Sequence, residues 1–320
     1  MQAVDTVYDM RREKLPMLYN AQKYIRTDLA AEFPRDADHT IERGFTIEES
    51  TNASVRITRI HVYNDAGAHQ VGKPIGHYIT LSFERPWLLE QKRQREIIAA
   101  LSDELLKRFS DLPANPSSIL AIGLGNREIT ADAIGPKTID QIEVTRHLQT
   151  MCPALYEQIA KHEVSAIAPG VLGQTGIETL ELIRGITNHV KPDVILAIDA
   201  LAARHVDRLA MTIQIADTGI APGAGIGNHR QALNAETLGV PVLAIGVPTV
   251  VDSSTLVCNA LEKANIHEIS DSLEEVLNNG KSFFVSLKET DAAVQMLSRI
   301  LAASINMVCS NLEDVNFALQ

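Results

Sequence analysis

The chain has 320 residues, 45% apolar and only 4% aromatic, and a net charge of −11. An acidic chain is poorly matched to nucleic acid or anionic membrane, which reward Lys and Arg, so neither is expected as a partner. The core must be built from Ala, Val, Ile and Leu, as in a parallel sheet covered by helices.

Residues 1–26 are polar and clustered in charge around Arg11, Arg12, Glu13 and Lys14, which predicts a tail or detachable segment. They lack the apolar stretch of a signal peptide. The remaining residues, 27–320, are expected to form one α/β domain. Ile25–Phe33, IRTDLAAEF, has a more ordered character. From about residue 40 to 83 the pattern alternates apolar and polar with β-branched side chains. IERGFTIEES, SVRITRIHVY and GHYITLSF read as antiparallel strands, with turn signals at Asn64–Gly67 and Gly72–Pro74. Residues 87–109 predict an amphipathic helix with Leu88, Ile97, Leu101, Leu105 and Phe109 near one face.

Strand and helix then alternate. SILAIGLG (118–125) is a buried strand running into glycines, and ITADAIGPKTIDQIEVTRHL predicts one helix. EVSAIAPG is a short strand, and TGIETLELIRGITNHV a helix. DVILAIDAL (193–201), MTIQIADTGI (211–220) and VPVLAIGVPTVVD (240–252) are further strands, and the C-terminal part is mostly helical. The alternation predicts crossover units, hence a mainly parallel sheet flanked by helices with an antiparallel, hairpin-rich subregion ahead of it.

In open α/β sheets ligands bind beyond the carboxyl ends of the strands. That rule selects Gly123–Asn126 with Asp132, then Asp199, then Asp217–Gly219 with the glycine-rich run to Asn228, then Pro248–Asp252. Two aspartates at neighbouring strand ends can hold one water, with one acting as base and the other as acid. The alternative is that Asp132 and Asp199 cap the helices that follow. GLGN and GAGIG lack the GxGxxG spacing, and GxxxxGK[ST], HExxH and GxSxG do not occur. Cys152, Cys258 and Cys309 form no CxxC pair, so no metal or other cofactor is expected. Ser253 and Ser254 read as helix N-caps. Backbone N–H groups at Gly123, Gly125 and Asn126, or at Asp217 and Gly219, are candidates to stabilise an oxyanion. His205 is a candidate substrate contact by its nearness to Asp199. Arg204, Arg208 and Arg230 are either anchors for an acidic substrate residue or solvated surface charges.

GLGNREITADAIGP with VTRHL, APGVLGQTGIET, KPDVILAIDALAAR, TIQIADTGIAPGAGIGNHR and LGVPVLAIGVPTVVD occur in this order. Together with RTDLA near the N-terminus, this set resembles the germination proteases of spore-forming bacteria. The resemblance implies a fold like that of hydrogenase maturation proteases. It implies an endopeptidase that degrades small acid-soluble spore proteins in the spore core, a cytoplasmic compartment. It also implies a zymogen that loses its N-terminal segment by self-cleavage, a homotetramer, and Asp132 and Asp199 as the catalytic pair. Two rival readings are a metallopeptidase that uses the same aspartates as ligands and a protein that binds spore proteins without cutting them.

Overall fold

The computed structural model describes residues 24–33, 44–221, 231–266, 270–278 and 283–311. A nine-stranded sheet organises them, in the order β1-β2-β3-β7-β8-β6-β4-β5, with β9 paired to β8. Its strands are β1 Phe45–Asn52, β2 Val55–Val62, β3 Gly76–Ser82, β4 Ser118–Gly123, β5 Glu163–Ile167, β6 Val194–Ala203, β7 Thr212–Ala216, β8 Val242–Asp252 and β9 Phe284–Val285. The strands β5, β4, β6 and β8 form the parallel core expected from the crossovers. Antiparallel β1, β2 and β3 extend the same sheet through β7. The stretch 204–211 between β6 and β7 is too short for a parallel crossover. β7 therefore returns antiparallel, and β8 fills the place between them.

One face is covered by α2 (Gln91–Ser110), α3 (Ile134–Ile139) and α11 (Thr290–Cys309). In α2 the buried residues Gln94, Ile97, Ile98, Leu101, Leu105 and Phe109 recur at helical spacing. Each buried aliphatic side chain contributes about 1.5–3 kcal/mol. Leu88 departs from the expected face: it is exposed in a 3-10 turn, Pro86–Leu88, ahead of the helix. By length and mean hydropathy, 1.4, α11 would pass as membrane-crossing, yet 67% of that window is buried inside the protein, as in a core helix. The opposite face carries α7 (Thr179–Val190) and α8 (Ala235–Leu238) at the parallel end. α1 (Asp65–Val71) and the segment Tyr24–Phe33 lie toward the antiparallel end.

Several expectations are corrected. The residues read as turns around Asn64 and Gly72 are the caps of α1. The Asn64 side chain accepts the Gly67 N–H, and Gly72 takes φ 69°. The single helix expected over 129–148 is broken into a 3-10 turn Thr130–Asp132, then α3, then the start of α4 (Arg146–Met151), and α5 (Pro153–Ile159) follows it. A four-residue helix, α6 (Leu172–Thr175), precedes α7. Asp252, rather than Ser253 or Ser254, caps α9 (Ser253–Lys263), accepting the N–H groups of Ser254 and Thr255 at 2.9 and 3.1 Å. Helix α10 spans Asp271–Asn278. Pro248–Asp252 is the end of β8, within the strand expected over 240–252, and there the pairing register slips so that Leu201 faces Pro248 and Ala202 faces Val250.

Candidate active site

Within the parallel core β4 has β5 on one side and β6 on the other, so the strand order reverses there. A crevice is expected at that switch point, beyond the end of β4. β4 stops at Gly123, opposite Ile198. Asp199 is the next residue of β6 and the first without a β4 partner. It does not end its strand, as expected from sequence, because β8 pairs with β6 through Ala203. No helix begins at Asp199, so it is not a cap. It is 5% exposed, and its Oδ1 accepts the Ala200 N–H at 2.9 Å.

Asp132 reaches the same place by another route. After β4 the Leu124 N–H donates to Ile198 O at 2.8 Å, tying the loop to β6. Gly125 takes φ 110°, and Asp132 Oδ2 accepts the Asn126 N–H at 2.7 Å. That carboxylate closes its own loop rather than capping α3, whose N-cap has no side-chain bond. Thr249, at the slipped register of β8, donates to Ala131 O at 2.6 Å and holds the turn from the other side. Gly135 lets α3 approach: a Cβ there would stand 2.3 Å from Leu124 O and 2.6 Å from Ile198 O. Asp132 and Asp199 thus sit on segments joined through Ile198.

A cavity of about 220 Å³ opens beside Asp199. It is lined by Asp28, Lys73, Tyr78, Leu201, Gln214, Thr218, Gly219, Asn234 and Gly246 among others. Asp132 is not on its wall. Part of the wall is the chain's own N-terminal segment. Where β4 no longer covers β6, the Asp28 N–H donates to Ala202 O at 2.9 Å, and the Ala202 N–H donates to Asp28 Oδ2 at 2.8 Å. Glu32, 7% exposed, accepts the N–H groups of Arg204 and His205 at 2.7 and 3.0 Å and the Thr27 hydroxyl. Tyr24 packs over Cys258. Burial pushes the Asp28 carboxyl above its ordinary range, with Lys73 opposing. Burial likewise pulls the Lys73 ammonium down, with Asp28 opposing.

The other expected site residues separate. Gly123 is buried at the end of β4, where a Cβ would meet the Gly135 carbonyl. In this state the Leu124 amide donates to Ile198 O and the Asn126 amide to Asp132 Oδ2. Gly219, with φ 77°, lines the cavity. Both oxygens of Asp217 are committed to His77, one to its N–H and one to Nδ1, each at 2.7 Å. His61 stacks on His77 at 4.0 Å, and burial followed by His77 lowers its pKa. His205 enters through its backbone bond to Glu32 and is absent from the cavity wall. Arg204 is held by Glu262 and Asn259, and Arg208 donates to the Ser82 hydroxyl. Arg230 and the glycine-rich run 222–230 lie outside the described residues. Lys73 is the one cation among the described residues on the wall. Asp28, Lys73 and Gln214 were missed as site residues; RTDLA was visible as a motif, but nothing local ties it to β6. Among the described residues no group of three His, Cys, Asp or Glu side chains is arranged to hold a metal ion.

Comparison with known proteins follows the same line. The family model described as germination protease matches residues 21–267. The chain is 38% identical over 310 residues to the germination protease of Caldanaerobacter subterraneus subsp. tengcongensis, covering 88% of this chain and 93% of that one. It is 38% identical over 324 residues to that of Clostridium perfringens, covering 91% and 98%. It is 40% identical over 262 residues to that of Halalkalibacterium halodurans, covering 76% and 68%. Among solved structures it is similar to the [NiFe] hydrogenase maturation protease HycI of Thermococcus kodakarensis, at 16% identity and a TM-score of 0.32, covering 62% of this chain and 98% of that one. The chain belongs to the germination protease family and is a peptide-bond hydrolase.

Proposed function

We propose that the chain is an endopeptidase that begins the degradation of small acid-soluble spore proteins, with Asp132 and Asp199 activating the attacking water. The observation that carries this reading is Asp199 at the wall of a cavity where β4 ends, with the turn bearing Asp132 hooked to the preceding residue. One carboxylate takes the water's proton. The other, protonated, donates toward the carbonyl or the leaving nitrogen.

We propose further that this is a zymogen which processes itself. The support is the N-terminal segment that forms part of the cavity wall. Asp28 lines that wall with Asp199, and on this reading the part that leaves extends past residue 26 to include Asp28. The homotetramer, the spore-core location and the absence of nucleic-acid and membrane partners rest on the family and on the net charge of −11.

The test uses purified full-length chain and small acid-soluble spore proteins. Wild type is expected to shorten at its N-terminus and to cleave the spore proteins into discrete fragments. Asp199→Asn and Asp132→Asn are each expected to lose about 10³-fold or more in both reactions. Either variant processing at the normal rate refutes the two-aspartate mechanism, and intact spore protein after prolonged incubation with wild type refutes the substrate. Metal analysis of the active protein separates water activation by carboxylates from a metal-held water.

A further inference from the structure

Gln214 lies on β7, is 7% exposed and lines the cavity with Asp199. Its side-chain amide spans one residue of the peptide seated there. Oε1 accepts the Ala30 N–H at 2.7 Å, and Nε2 donates to Asp28 O at 3.1 Å. Because Ala30 supplies a hydrogen, the oxygen must face it, which fixes the –NH2 on the carbonyl. Gln214 and Asp199 both pair with Gly246 of β8, one from each side, so they stand in a single cross-strand row on one face. Two strand spacings separate their Cα atoms by roughly 10 Å. Leu201 packs over Gly246 between them, where a Cβ would lie 2.3 Å from its Cδ1, so a peptide group reaching both side chains sits on top of that apolar contact.

We propose that Gln214 is a catalytic residue, whose Nε2 amide donates to the carbonyl oxygen of the bond being cut. The proposal rests on the aspartate reading above. As the water oxygen forms the new C–O bond, the carbonyl π pair moves onto oxygen and is met by the N–H. The pair then returns, the C–N bond breaks, and the proton taken from water reaches the leaving nitrogen. A buried, preoriented donor at developing negative charge is worth about 10²–10³-fold in rate. The other half of the amide, bonded to a backbone N–H, keeps the donor aimed.

The variants are Gln214→Glu, which keeps the shape and the acceptor for Ala30 but loses the donor when ionised, and Gln214→Leu, which loses both. Self-processing of the full chain and cleavage of saturating spore protein are followed across pH, each as a ratio to wild type at the same pH. Among the described residues, Asp28, Lys73 and Asp199 are the charged groups on the same wall. Their effect on wild type cancels in that ratio to the extent that the substitution leaves them unchanged. At neutral pH Gln214→Glu is expected to lose about 10²-fold or more in kcat. It should recover toward acid pH as its carboxyl protonates into a donor, while Gln214→Leu stays low throughout. If Gln214→Glu keeps kcat within threefold of wild type, or if both variants fall equally at every pH, the residue only seats the segment and the proposal is overturned. Thermal unfolding qualifies each variant as folded, with Gln214→Asn as the replacement if Glu is not tolerated. Asp199→Asn run beside them fails or succeeds by itself, so a failure of the aspartate reading is distinguishable from a failure of this one.

Discussion

Gly135→Ala tests the joint between the two aspartate-bearing segments. The added Cβ would stand 2.3 Å from Leu124 O, 2.6 Å from Leu124 N and 2.6 Å from Ile198 O, all backbone atoms. These atoms include both partners of the Leu124 N–H to Ile198 O bond at 2.8 Å. Nothing flexible can turn aside, so α3 must retreat by about an ångström. Overpacking of this kind costs about 1–3 kcal/mol, and a weakened backbone bond about 1 more. Alanine's better helix propensity returns about 1 kcal/mol. The net expectation is about 1–3 kcal/mol of lost stability, read as a lower urea midpoint at unchanged slope. A displacement of that size near the reacting groups is expected to cut cleavage of spore protein about 10²-fold even where the variant is fully folded. Gly185→Ala in α7 is the internal control, since a Cβ there meets nothing within 4 Å; it should be neutral or slightly stabilising and fully active. A Gly135→Ala enzyme with wild-type stability and wild-type cleavage would show that the Leu124–Ile198 joint does not set the site.

Glu32→Ala removes the acceptor of two backbone N–H groups and a hydroxyl. It is expected to release the segment Tyr24–Phe33 at a cost of about 2–4 kcal/mol, each charge-assisted bond being worth about 1.5–3 before relaxation. Release uncovers Cys258, whose thiol burial pushes up to about 11. A thiol reagent should therefore label exposed Cys152 alone in the wild-type full chain and Cys258 as well in the variant; equal labelling would show that the segment stays seated. Arg59→Met probes pH dependence. Burial pushes Glu104 up, but hydrogen bonds from Arg59 and Lys107 outweigh it together, so its folded pKa lies below the ordinary 4.5. The stability from this group is thus complete above that value and lost as pH falls through the folded pKa. Arg59→Met, with Lys107 still in place, is expected to cost about 2 kcal/mol at pH 7 and progressively less as pH falls below 4.5 toward the lowered folded pKa, measured by urea unfolding across that range; a cost independent of pH would refute it.

Much of the fold was legible because its signals are local. Alternation marked β2 and β3, continuous apolar runs marked β4, β6 and β8, and a helical stripe marked α2. The helix α1 was misread because a capping Asn and a left-handed Gly are the residues that also make turns. Asp132 and Asp199 were singled out by their places in strand-end motifs, though their alternative as helix caps could be settled only by seeing what their carboxylates bond.

What sequence by itself determined is most of the strands, the long helix α2 and the parallel core, because each is written in neighbouring residues. Tertiary structure decided the rest. β6 outruns Asp199 because β8 and Asp28 supply hydrogen-bond partners from far away along the chain. The cavity wall joins Asp28, Lys73, Gln214 and Asp199. They meet only because β7 comes back antiparallel beside β8 and the N-terminal segment takes the edge that β4 leaves open. Such a meeting depends on hydrogen bonds between distant segments, and no local pattern of residues encodes it.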